Sequence, residues 1–189
     1  GNCDQWNLDY VFLDSFRNPG DTVFTDVAFR APLRSLLKNH EAMPWKQFLQ
    51  TSLQEMGSVI PIHYRNNDTI PRNVTRNFEI LDMYNNSIEA SFTAGAINLE
   101  PQINEDYDAN LVYTFGTTYE DSALFRVKSW LITDVFDPKD NDTLVYYQRF
   151  GNYFAFDDGS SESGYGINGQ GSSHAIFACR FESFMQDTL

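Results

Sequence analysis

Gly164, Gly166 and Gly169 stand at the G-x-G-x-x-G spacing of a dinucleotide-binding turn. That chemistry needs a strand before the glycines and a helix after them, whose N-terminal N–H groups face the pyrophosphate. Here an acidic stretch precedes the glycines and a strand-like run follows, so the match reads as loop composition and no nucleotide cofactor is assigned. Acidic residues gather at Asp106 and Asp108, at Asp137, Asp140 and Asp142, and at Asp157, Asp158 and Glu162. Calcium takes several oxygens from one loop, but none of these runs has the EF-hand spacing, and no metal is assigned. Nucleophilic catalysis has little to stand on. There is no G-x-S-x-G elbow, and Ser173-His174 is the one place where Ser adjoins His. We therefore expect a protein that is not an enzyme, with no catalytic residue and no cofactor.

Modification chemistry is better represented. Asn67, Asn73, Asn85 and Asn141 each open an Asn-x-Ser/Thr sequon, and each lies in a polar segment between or beside apolar runs. Cys3 and Cys179 lie near opposite ends of the chain and form no C-x-x-C pair. The sequence opens at Gly1-Asn2-Cys3 without an initiator Met or an apolar signal segment. These features together lead us to expect a secreted, extracellular glycoprotein with a Cys3–Cys179 disulfide; two unrelated buried thiols are the alternative.

Charge and composition narrow the partners. The chain has 189 residues and a formal net charge of −13. Binding nucleic acid or an anionic membrane would call for a basic face, so neither is expected. No apolar run approaches the roughly 18 residues of a membrane span. An aromatic content of 15% argues against disorder. One domain, residues 1–189, is the expectation.

The elements follow from periodicity. Asp4–Phe16 and Val23–Phe29 alternate with period two. A helical pair is expected next. Pro32 fits a first helical position with Leu33, Leu36 and Leu37 at i, i+3 and i+4; Pro44 then breaks that helix and starts another. The second carries the stripe Trp45, Phe48, Leu49, Leu53 and Met56, read as core packing, with Gly57 as its stop. Strand periodicity returns in Val59–Tyr64, Phe78–Tyr84, Ile88–Thr93, Leu111–Phe115, Leu124–Thr133, Leu144–Phe150, Tyr153–Phe156 and Ala175–Phe184. Asp157–Ser173 holds five of the chain's eleven glycines and is long for a connection. The fold class is mainly β, an antiparallel β-barrel with a sandwich as alternative, because the disulfide would bring the first and last strands together.

Parity places the aromatics. In Leu124–Thr133, Arg126 and Lys128 mark the solvent face, which turns Phe125, Val127, Ser129 and Leu131 inward. The same test turns Tyr146 and Phe150 inward against Arg149. Leu111, Tyr113 and Phe115 form another such face, and Ile88, Ala90 and Phe92 a further one. Phe92, Tyr113, Phe115, Phe125, Tyr146 and Phe150 are accordingly the candidate ligand-binding residues, with a filled core as the competing reading.

Trp6 in the first strand, the run Trp130–Phe136 followed by Leu144–Tyr147, and Ala175–Arg180 in the last strand together resemble the lipocalins, a family of secreted barrels that carry small apolar molecules. The resemblance implies structural roles for Trp6, Asp134 and Arg180. Val135 stands where the family has Tyr, and the helical pair is a further departure. The expected function is therefore sequestration of a small apolar or aromatic ligand such as a lipid, sterol or carotenoid-like pigment, with oligomer formation left open. A storage or interaction glycoprotein acting through its surface is the first alternative. A carbohydrate-active or cyclase-type barrel enzyme is the second.

Overall fold

A computed structural model describes residues 26–110, 121–133 and 141–157, together with positions 169 and 174. The elements run β1 (Val27–Phe29), β2 (Ala42–Pro44), α1 (Trp45–Glu55), β3 (Val59–Asn66), β4 (Arg72–Asp82), β5 (Ser87–Leu99), β6 (Asn104–Asn110), β7 (Ala123–Thr133) and β8 (Thr143–Gly151). They form a three-stranded sheet of order β1-β3-β6 and a five-stranded sheet of order β2-β8-β7-β4-β5. The inner faces of both sheets and of α1 contribute to one hydrophobic core.

The mainly-β expectation holds, and the barrel gives way to the sandwich. The chain crosses from the larger sheet to the smaller between Leu99 and Asn104. Closing a barrel would need a ladder between β5 and β6, and among the described residues they lie in separate sheets. Nor is the pairing wholly antiparallel: β2 runs parallel to β8, with Ala42 opposite Arg149 and Pro44 opposite Gly151. Trp6, Asp134, Arg180, Cys3 and Cys179 fall outside the described residues, as do the expected strands Asp4–Phe16, Leu111–Phe115 and Ala175–Phe184.

One helix forms where two were expected. Leu33, Leu36 and Leu37 are buried, but their backbone is not helical. Its polar groups are committed elsewhere: Leu36 N–H donates to Gln148 Oε1 (2.8 Å), and Lys38 N–H to Glu55 O (2.8 Å). Tertiary hydrogen bonds thus override a helical spacing. The second helix begins where Pro44 sets it, and it bends at Thr51 (φ −121°, ψ 17°), whose Oγ1 donates to Gln47 O (2.8 Å). Its stripe is core at Trp45 and Phe48, whereas Leu53 is 89% exposed. The Tyr153–Phe156 run is no strand; it contributes a single bridge, Ala42 to Ala155.

Gly57 ends the turn after α1 for reasons of space. Its N–H donates to Leu36 O (2.7 Å), and a Cβ here would sit 3.0 Å from the same oxygen. Gly57→Ala gains about 0.4–1 kcal/mol from the unfolded chain but crowds a backbone contact, at about 1–3 kcal/mol. A net loss of about 1 kcal/mol is expected, read as a lower urea midpoint at unchanged m-value.

Two polar hubs tie the loops. The Asp26 carboxylate accepts from Asn67 Nδ2 (2.8 Å) and Asn141 Nδ2 (2.9 Å), joining three loops. Buried Asn66 donates to Ile70 O (2.9 Å) and Leu99 O (3.0 Å), pinning the β3–β4 loop to the end of β5.

Candidate functional site

Phe92, Phe125, Tyr146 and Phe150 lie on inward-facing strand positions, in two separate environments. Phe125 and Phe150 lie on the inner face of the five-stranded sheet and are buried. Trp45 and Phe48 of α1 close over them, with centroid distances of 5.0 Å for Trp45–Phe150, 4.5 Å for Phe48–Phe150 and 6.0 Å for Phe125–Phe150. Tyr146 is half-buried beside this cluster, and its hydroxyl donates to Glu41 Oε2 (2.5 Å). Tyr113 and Phe115 lie outside the described residues.

Phe92 belongs to the other end. There the inner face of β5 presents Ala90, Phe92, Ala94 and Ile97, all half-buried and so still reached by solvent. Across the gap β6 turns Glu105 and Tyr107 inward, also half-buried. The rings of Phe92 and Tyr107 meet at 6.2 Å, and Phe78 lies 5.5 Å from Phe92. This end of the molecule thus presents apolar and aromatic side chains between the sheets that solvent still reaches. Ile88, expected on the same face as Phe92, is instead 59% exposed, because β5 slips register between the pairs Ile80–Ala90 and Leu81–Ile88.

Buried polar groups lie beside these side chains. Arg76 shares inward parity with Val74, Phe78 and Ile80 on β4, and it is 7% exposed. A second register slip, between Val74 and Arg76, gives β5 an extra residue beside it. One Arg76 Nη donates to Gly95 O (2.8 Å), and the guanidinium carbon stands 4.2 Å over the Tyr107 ring. Tyr64 projects from β3 directly opposite Glu105 on β6. Its hydroxyl and Arg76 Nε are both buried without a hydrogen-bond partner. Burial pushes the Tyr64 phenol up to about 12, against the opposing charge of Arg76, so at neutral pH it is a proton donor.

Sequence reasoning missed Arg76, Tyr64, Glu105 and Tyr107. β4 begins six residues before the expected Phe78, and the strand character of Arg72–Asn77 is hidden by its polar residues. β6 was not expected at all, since Asn104–Asn110 is mostly acidic and amide residues. The available signal was period two in both: Val74, Arg76, Phe78 and Ile80, and Glu105, Tyr107 and Ala109.

A second polar pair lies beneath α1. His40 Nδ1 stands 3.2 Å from Glu55 Oε2, both side chains are almost wholly buried, and Nε2 has no hydrogen-bond partner. The rings of Phe154 and Phe156 cover the imidazole at 5.2 and 4.6 Å. Nearby Ser35 Oγ lies 2.7 Å from His40 O and 2.9 Å from Gln148 Oε1 and makes no bond to the ring, so Ser35 is not aligned with it as a nucleophile. No group of three metal-ligating side chains forms among the described residues. Of the sequon asparagines, Asn73 and Asn85 are exposed, while Asn67 and Asn141 carry the Asp26 bonds. No family model matches this chain, and no curated protein matches it either.

Proposed function

We propose that this chain binds and carries a small apolar or aromatic ligand between β5 and β6, in an extracellular setting. The observation that carries the reading is the half-buried inner face of β5, where Ala90, Phe92, Ala94 and Ile97 lack the full cover that Phe125 and Phe150 have. An apolar ligand there would remove that surface from water, and small alanines leave it room. Within this reading Phe92 and Tyr107 are ligand-lining residues, while Phe125 and Phe150 belong to the packed core at the other end. The extracellular setting draws support from the exposed sequon residues Asn73 and Asn85.

Titration with an uncharged aromatic dye, N-phenylnaphthylamine, tests the site. Saturable fluorescence enhancement is expected, and Phe92→Ala should weaken it about tenfold, equivalent to about 1.4 kcal/mol. Native mass spectrometry of protein from its natural source should show a bound small molecule. A dye that does not saturate, together with a ligand-free natural protein, would defeat the proposal.

A further inference from the structure

We infer that the ligand of this site carries a single carboxylate, received by Arg76 and Tyr64; the inference rests on the ligand reading above. The other buried arginine of β4, Arg72, is paired with Asp68, and Arg126 on the sheet's outer side is paired with Glu79. Arg76 is 7% exposed, yet no carboxylate stands at ion-pair distance from it among the described residues. A guanidinium held out of water without a counter-ion is costly, and it persists where something else supplies the negative charge. The donors it leaves are specific. Arg76 Nε and the Tyr64 hydroxyl are both buried without a well-formed hydrogen bond, and the guanidinium is near enough to the phenol to act on its proton.

The surrounding groups set the class of anion. Two donors suit the two oxygens of a carboxylate. Glu105, opposite Tyr64 on the same inner face, adds negative charge next to the phenol and so disfavours a dianion such as a phosphate monoester. The Tyr107 ring at 4.2 Å and the bond to Gly95 O hold the guanidinium in place before any ligand arrives. Phe92, Ala94 and Ile97 then line the path for an apolar tail.

Displacement of the same uncharged dye by dodecanoate and by dodecanol, which share a chain length and differ in charge, is the test. The wild type should bind the acid at least about tenfold more tightly than the alcohol. Arg76→Met should cut dodecanoate affinity about ten- to a hundredfold and leave dodecanol unchanged. Tyr64→Phe should give a smaller loss in the same direction, and it decides the matter if Arg76→Met does not fold. Equal displacement by acid and alcohol, or displacement by neither, overturns the inference while leaving dye binding intact. Failure of the dye itself to bind would instead remove the ligand reading.

Discussion

Asp68→Ala is expected to destabilise the protein by about 3 kcal/mol or more, the scale for removing one member of a buried ion pair. Arg72 donates from Nε to Asp68 Oδ2 (2.8 Å), a terminal guanidinium nitrogen reaches the same oxygen, and the two side chains are 6% and 1% exposed. The carboxylate also accepts from Thr69 N–H (2.5 Å), and Asp68 N–H donates to Asn66 Oδ1 (2.9 Å). Its loss would therefore remove the carboxylate that pairs with a buried cation and loosen the loop that joins the sheets. Urea unfolding should show the full effect. Adding Arg72→Met to Asp68→Ala should recover much of it, because an apolar pair has no desolvation cost to offset. A double-mutant cycle with strictly additive losses would show that the pair is not coupled.

The same pair has a pH signature. Burial acts to raise the Asp68 carboxyl, but hydrogen bonds from Arg72 and Thr69 outweigh it and hold the group below its ordinary value of 3.8. A carboxyl depressed in the folded state stabilises above its unfolded pKa, and the gain is lost as pH falls through the folded value. The wild-type advantage over Asp68→Asn should accordingly be constant at neutral pH and shrink below pH 3.8. An advantage that persists unchanged into strong acid would contradict the assignment.

What could be read from the sequence was the part governed by local periodicity. Arg126 and Lys128 correctly turned Phe125, Val127 and Leu131 into the core, and Pro44 correctly marked the start of α1. Long-range commitments stayed hidden. Leu33, Leu36 and Leu37 have helical spacing, yet Gln148, distant in sequence, takes the Leu36 N–H. The parallel pairing of β2 with β8 joins residues more than a hundred positions apart. The buried polar groups were missed for a related reason: Arg76 is a charge on an inward position, which sequence patterning assigns to a loop. Such local violations of a core pattern tend to mark function, and here they coincide with the unpartnered donors.

Phe150→Ala should cost about 3–5 kcal/mol in stability, the range for emptying a large aromatic site in a packed core. Phe150 is 2% exposed and contacts Trp45, Phe48 and Phe125, at 5.0, 4.5 and 6.0 Å between ring centroids. Three rigid neighbours anchored on a helix and a central strand cannot readily collapse into the space, so the cavity persists. Phe92→Ala should cost much less, about 1 kcal/mol, because its site is already open to water. Affinity should follow the opposite order, with Phe92→Ala weakening dye binding and Phe150→Ala leaving it near wild type in molecules that remain folded. Parity assigns both phenylalanines to the same inner surface. Paired measurements of unfolding free energy and dye affinity would separate a ring that fills the core from one that meets a ligand. If Phe150→Ala instead abolished binding at little loss of stability, the ligand would lie under α1, and the site between β5 and β6 would be wrong.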